Sequence, residues 1–435
     1  MEKTKVPLGI DLGGTSVRAV FERHCVGDNS NPISLRFLPG EIPADIYPYD
    51  EDGPVYLNGA NDHARRSVPA KYAFYAIVGT SDELLEQYPL AKELIAHSRE
   101  DTAFKQRLRK GLVDLFKWIA CLCRVICEQH DYEIDVIGLS VPSQCTEDFK
   151  VLYKSIIVET FGDPICVDFV CEIEALGHYL HRNHKKKLLQ PLDKLDVVLF
   201  IDFGGYDTNT CIFKTLYDEK DNPRFHLISG AKGASGGSAQ WECNMAQMAV
   251  GKDERRLLPK LTNAIHDDLN IMKCSMEPYC NNHEYKFEGL NDEGTVRSVH
   301  IEAQAIKDSF DAAMEGPLKL ARERIEELGT IDGHSNHRVV VSGGTSHHKD
   351  LKDKVRQVCV ENGIKHVLFT DVWDIRYGPM KVAHGVVHVL LRIGDEKRTG
   401  TATKADDPDR HLSNLRRSAR ILQREPKTGT YYGAR

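Results

Sequence analysis

Several absences bound the chain before any motif is read. No apolar run approaches the roughly 18 uncharged residues that a membrane-spanning helix needs. Met1-Glu-Lys-Thr-Lys5 leads into a strand-like segment with no signal-peptide core. The expectation is a soluble, cytoplasmic protein with no membrane partner, and a nuclear location fits the same pattern. No Cys-x-x-Cys pair occurs among the 12 cysteines, which are sparse in 435 residues, so reduced core thiols are expected rather than a disulfide scaffold. Cys121, Cys123 and Cys127 share one helical stretch, where packing and a metal site are both open. The Walker pattern Gly-x-x-x-x-Gly-Lys-Ser/Thr is missing, as is a full Gly-x-Gly-x-x-Gly, which disfavours P-loop and dinucleotide-binding chemistry. Positive charge is scarce outside the C-terminal stretch: residues 396–435 carry +5 and the first 395 carry −12. An acidic body of that kind points away from nucleic acid.

What is present is a globular balance, 41% hydrophobic and 28% charged, in a chain long enough for two or three cores. Its most informative feature is an internal echo. Ile10-Asp-Leu-Gly-Gly-Thr-Ser-Val-Arg-Ala-Val-Phe21 and Ile201-Asp-Phe-Gly-Gly-Tyr-Asp-Thr-Asn-Thr-Cys-Ile-Phe213 share an Ile-Asp-apolar-Gly-Gly core. Each reads as strand, glycine turn, strand, with the Gly-Gly pair expected to supply positive φ in a tight hairpin. Two copies 191 residues apart imply two similar α/β lobes with a cleft between them. A third pair, in Arg338-Val-Val-Val-Ser-Gly-Gly-Thr-Ser346, follows a β-branched strand and leads into a polar helix ending near residue 362.

Strands and helices alternate elsewhere. Phe104 to His130 carries an apolar stripe of Leu108, Leu112, Leu115, Phe116, Ile119, Leu122 and Ile126 at helical spacing. The run 135–141 reads as a strand, and Val167–Val170 as another before a helix opening near Glu172. Residues 301–328 read as helix with a break at Gly316-Pro317, and 277–297 as polar and irregular. An apolar helix with Gly385 inside spans 381–392, where His384 and His388 share a face and packing is favoured over metal. Beyond residue 395 a polar, basic, disordered tail is expected, in which Leu415–Arg424 forms either a solvated stretch or a basic amphipathic helix on a partner.

A carboxylate at a strand end followed by two glycines suits phosphate chemistry, because bare amides approach anionic oxygens while the aspartate faces the accompanying cation. Asp11 and Asp202 would then hold hydrated Mg²⁺, mainly through water. The amides near Gly13, Gly14, Gly204 and Gly205 would cradle the β- and γ-phosphates, with Thr15 adding a hydroxyl.

The three motifs, Ile10-Asp-Leu-Gly-Gly-Thr-Ser-Val-Arg-Ala19, Phe200-Ile-Asp-Phe-Gly-Gly205 and Val340-Val-Ser-Gly-Gly-Thr345, resemble the two phosphate motifs and the adenosine motif of the actin-like ATPase superfamily. The closer resemblance is to the nucleotide-binding domain of seventy-kilodalton heat-shock chaperones, over about residues 6–392. Val136–Ser143 and Cys171-Glu-Ile-Glu-Ala175 resemble further landmarks of that domain. The resemblance implies a two-lobed, ribonuclease-H-like duplicated α/β fold with a central nucleotide cleft. The first lobe would cover 1–195, completed by 371–394, the second 196–370, and the tail 395–435. It implies ATP or ADP with Mg²⁺ as cofactors, ATP hydrolase activity, nucleotide-driven lobe closure and a protein partner or client. Lys71 and Glu172 take the family's catalytic positions beside Asp11 and Asp202. Lys71 alone would read as a surface lysine, and Glu172 as a helix N-terminal charge. Nucleotide contacts are implied for Gly13, Gly14, Thr15, Ser16, Gly204, Gly205, Tyr206, Gly236, Gly237, Gly343, Gly344 and Thr345. Lys273 and His347 are implied near the adenosine, although His347 equally reads as solvent-facing.

Tyr206 and Asp207 depart from the family, standing where a third glycine and a threonine are expected, and Asn209 replaces a later aspartate. Tyrosine resists positive φ and an aspartate repels a γ-phosphate, so nucleotide binding with weak or absent hydrolysis is expected. No acidic-hydrophobic linker or β-rich peptide-binding domain follows the terminal helix. Two alternatives stand: a sugar or small-molecule kinase of the same superfamily, since Gly9–Arg18 also resembles the opening of glucokinase-like enzymes, and a non-hydrolysing, nucleotide-gated scaffold.

Overall fold

β-Branched and apolar runs form the central strands of two mixed sheets. The computed structural model describes residues 3–22, 33–34, 42–60, 65–79, 89–143, 145–162, 166–189, 196–217, 223–249, 261–262, 265, 285–290, 296–331, 336–370 and 380–399. The chain opens with β1 (Thr4–Leu12), β2 (Ser16–Phe21), β3 (Ile33–Ser34) and β4 (Ile42–Pro43); a short pair, β5 (Asp45–Ile46) and β6 (Val68–Pro69), then precedes α1 (Ala70–Val78). Two helices, α2 (Pro89–Glu100) and α3 (Thr102–His130), lead to β7 (Tyr132–Val141), α4 (Glu147–Phe161), β8 (Cys166–Cys171) and α5 (Glu172–Leu189). The first sheet has the order β3-β2-β1-β7-β8, with β4 also on β2. β1 runs antiparallel to β2 and parallel to β7, which is parallel to β8.

The second sheet repeats this plan. It uses β9 (Val197–Phe203), β10 (Asp207–Tyr217) and β11 (Pro223–Ser235), followed by α6 (Ser238–Ala249), the pair β12 (Tyr285–Leu290) and β13 (Val296–Ile301), and α7 (Ala303–Gly329). β14 (His337–Ser342), α8 (Lys349–Glu361), β15 (His366–Phe369) and α9 (Lys381–Thr399) complete it. The order is β11-β10-β9-β14-β15. The directions match as well: antiparallel on the β10 side of β9, parallel on the β14 side. The fold is mixed α/β. By internal contact the chain divides into a compact unit, Met1–Leu390, and a second unit, Leu391–Arg435. Among the described residues no helix is long and apolar enough to cross a membrane.

Leu8, Ile10, Phe21, Ile137 and Leu139 of the first sheet pack on the α3 stripe, of which Leu108, Leu112, Leu115, Phe116 and Ile119 are buried and Leu122 and Ile126 half-buried. Asp101 caps α3 by accepting from Phe104 N at 3.0 Å. In the second half Leu199, Ile201, Val339 and Val341 pack beneath Trp241, Phe310 and Ile325. The opposite face, with Val198, Phe200, Phe213 and Val340, lies under Leu176 and Leu180 of α5.

Helix α9 docks on a floor made by paired glycines. Gly9 and Gly138 are register partners on β1 and β7, and a methyl on either would overlap Ala383 O or Val386 of α9. Gly385, in turn, has no room for a side chain against Ala175 O of α5. His384 and His388 lie against Tyr179, and His388 Nε2 stands 3.2 Å from a Glu22 oxygen.

Three expectations need correction. Gly316-Pro317 does not break α7, which runs unbroken from Ala303 to Gly329. The carbonyl that Pro317 deprives of a helical donor, Ala313 O, and the proline ring itself both face Gly236, so the proline shapes a close crossing of helix and turn. The stretch expected to be irregular contains the β12–β13 pair, in which Tyr285 opposes Ile301 and Phe287 opposes Val299. Alternate apolar residues carried that signal. Helix α9 continues to Thr399, and the expected disordered tail, with Leu415–Arg424, lies outside the described residues.

Candidate functional site

The echoed sequences form equivalent hairpins. In the first, Gly13 N donates to Ser16 O at 3.0 Å and Asp11 pairs across the strands with Arg18. In the second, Gly204 N donates to Asp207 O at 2.8 Å and Asp202 pairs with Asn209. The bends meet: a methyl built on Gly14 would lie 2.6 Å from Cδ2 of Tyr206, and one on Gly205 would lie 3.7 Å from Cγ2 of Thr15. The expected positive φ is absent from both bends; among the glycines named so far it occurs at Gly236, Gly237 and Gly343. Close approach explains glycine in the bends instead. A side chain on Gly13 would strike the Arg18 guanidinium, and one on Gly204 would strike Asp207 O.

Two more glycine turns hold the second bend. Ala239 N donates to Gly205 O at 2.7 Å and Gly236 N to Tyr206 O at 2.9 Å. Thr345 Oγ1 donates to Gly204 O at 2.7 Å while accepting from Ser238 N at 3.0 Å. Gly237, at φ +145°, abuts Gly204 O, and Gly343, at φ +93°, abuts Phe203 O. The turns at 204–207, 236–238 and 343–345 are thus one hydrogen-bonded cluster assembled from distant sequence. Gly344 opens the short turn Gly344–His347 and has open space beside it. His347 is exposed. Its neighbour His348 is buried and stacked on Phe310 at 4.0 Å. Lys273 lies outside the described residues.

Charge concentrates beneath the bends. Asp11 accepts from Ser140 Oγ at 2.7 Å and from Arg18 Nη1 at 3.1 Å. Lys71, near the start of α1, is buried rather than on the surface, with Nζ 2.7 Å from Asp207 Oδ2 and 3.0 Å from Glu172 Oε1. Glu172 is the first residue of α5 and also accepts from Asn209 Nδ2 at 3.3 Å, while Ser143 Oγ donates to Asn209 Oδ1 at 2.9 Å. The surface reading therefore fails for Lys71, and Glu172 does more than charge a helix end.

Burial opposes the charge on Lys71, but Asp207 and Glu172 outweigh it and hold the ammonium well above its usual range. Burial pushes Glu172 up, Lys71 pulls it back, and Asp207 and Asp11 add repulsion; the result lies well above a normal glutamate. Asp207 is the nearer partner of the lysine, so Glu172 is the carboxylate left in excess. Asp202 is raised to about 6 by burial, then by Asp207 and Asp11, with Lys381 and Arg18 pulling the other way.

Sequence reasoning missed Arg18, Ser140 and Lys381. Arg18 was legible in principle, since hairpin register sets it opposite Asp11. Ser140 and Lys381 required the tertiary fold. Among the described residues no group of three or more His, Cys, Asp or Glu is placed to hold a metal ion. No protein-family model and no curated protein sequence matches the chain.

Proposed function

We propose that the chain is an ATP/ADP-binding, Mg²⁺-dependent protein of the actin-like ATPase kind, related to seventy-kilodalton heat-shock chaperones. In it nucleotide governs lobe closure on a protein partner in the cytoplasm, and hydrolysis is slow or absent. One observation carries this: two Asp-x-Gly-Gly hairpins with the same register and the same closing hydrogen bond meet at Gly14–Tyr206 and Thr15–Gly205. Two sheets of matching order and direction support a duplicated, ribonuclease-H-like plan. Backbone amides at such bends suit phosphate oxygens.

The donor set fits a hydrated divalent cation by charge, because burial first, and then the neighbouring carboxylates of Asp207 and Asp11, hold Asp202 above its ordinary range. Asp11 and Asp202 would hold Mg²⁺ through water, where it would screen the phosphate charge. Slow turnover follows from Lys71 and Glu172, which bind each other, so neither is poised to place an attacking water.

Calorimetry tests the proposal. ATP or ADP with Mg²⁺ should bind at micromolar or tighter affinity, weakened about tenfold or more by Asp11→Asn or Asp202→Asn. Titrations indistinguishable among the three proteins contradict it. In single-turnover assays bound ATP should persist for hours, whereas ADP release that requires a hexose or polyol would favour a kinase.

A further inference from the structure

The residues that depart from the family, Tyr206 and Asp207, are the ones that fill the meeting point of the two bends. The Tyr206 ring lies on the bare backbone of Gly14 and meets Tyr72 edge-on at 5.1 Å. The next residue, Asp207, places a carboxylate oxygen 2.7 Å from Lys71 Nζ. A flat plate thus lies against Gly14 of the first bend, and the carboxylate of Asp207 already occupies the buried ammonium. The hairpin bearing both is pinned through Gly204 N, Gly204 O, Gly205 O and Tyr206 O, so within the second bend it is side-chain rotation that clears the space. The surroundings offer a further anion no spare cation: Asp11, Glu172, Asp202 and Asp207 already face Lys71, Arg18 and Lys381.

We propose that Tyr206 and Asp207 act as a built-in surrogate for a terminal phosphate, so that the cleft takes a nucleoside diphosphate in preference to a triphosphate. The inference rests on the nucleotide-binding reading above. Asp207 supplies the discrimination, since a terminal phosphate must compete with a carboxylate for Lys71 and sit beside Glu172. Tyr206 supplies a barrier common to both nucleotides, because its ring must leave Gly14 before any phosphate reaches that bend.

Calorimetric titration of the full chain with ADP and with ATP, each with Mg²⁺, tests this. The parent chain should bind ADP about tenfold or more tighter than ATP. Asp207→Asn should bring the ratio toward one by strengthening ATP, while Tyr206→Gly should strengthen both and keep the ratio. Equal or tighter ATP binding by the parent chain overturns the inference while leaving nucleotide binding intact, and needs no variant to fold. A ratio unchanged in a folded Asp207→Asn protein, checked by its thermal melt, also overturns it. If the parent chain and Tyr206→Gly both bind neither nucleotide, the nucleotide-binding reading falls and this inference with it.

Discussion

At the scale of single residues, Lys71 is the keystone of the buried cluster. Removing one partner from a buried ion pair leaves the other charges uncompensated, typically at a cost of about 3–5 kcal/mol. Lys71→Met should therefore lower the thermal midpoint by several degrees at pH 7, and a second change, Asp207→Asn, should recover part of the loss. A midpoint equal to the parent's would show that the lysine is not holding two carboxylates. Asp202 gives a pH signature. Its folded value, about 6, exceeds the roughly 3.9 of an unfolded aspartate, so the folded state holds the proton more tightly. Its contribution to stability is full below about pH 4 and lost as pH rises through about 6. Asp202→Asn should flatten that decline, by about 1–3 kcal/mol across the window, when melting is followed from pH 4 to 7. The Asp-x-Gly-Gly strings singled out Asp11 and Asp202, and the family resemblance singled out Lys71 and Glu172. Neither could show that Lys71 and Glu172 bind one another across 101 positions, since that contact depends on how α1 and α5 are brought together.

Among the elements, the hairpins, the long α3 and the strand–helix step at Glu172 were legible because periodicity and turn residues agree there. Helix α7 was misjudged at Pro317 because proline is read locally as a breaker, whereas here the helix runs through it and the ring packs at the Gly236 turn. The glycines were recognised but given the wrong reason. In the bends they permit close approach, and positive φ belongs to Gly237 and Gly343, which brace the second bend from behind. The docking of α9 is the sharpest test at this scale. Gly138→Val would drive a branched side chain into Val386 and Leu390, and overpacking of that kind costs about 1–3 kcal/mol. The variant should melt lower and show faster amide exchange in α9 than in α3; uniform exchange would contradict a docked α9. Thr345→Val removes two hydrogen bonds at the second bend and should cost about 1–3 kcal/mol in a chemical denaturation curve.

For the whole molecule, the two equivalent hairpins were legible from the echoed strings at 10–21 and 201–213, because a glycine hairpin led by aspartate fixes strand, turn and return strand in one string. The matching order of the two sheets adds what no string contains: the same antiparallel and parallel neighbours around β1 and around β9. If the halves close on a polyphosphate, ligand must stabilise the folded chain by an amount that grows with the logarithm of its concentration over the dissociation constant, about 2.7 kcal/mol at a hundredfold excess. The most direct measurement is native mass spectrometry of the full chain mixed with Mg²⁺ and ADP, beside the Asp11→Asn, Asp202→Asn double variant. A single ADP-sized increment on the parent chain, lost in the double variant, is the expected result; no increment on the parent, or the same increment on both, would contradict a nucleotide site between the two bends.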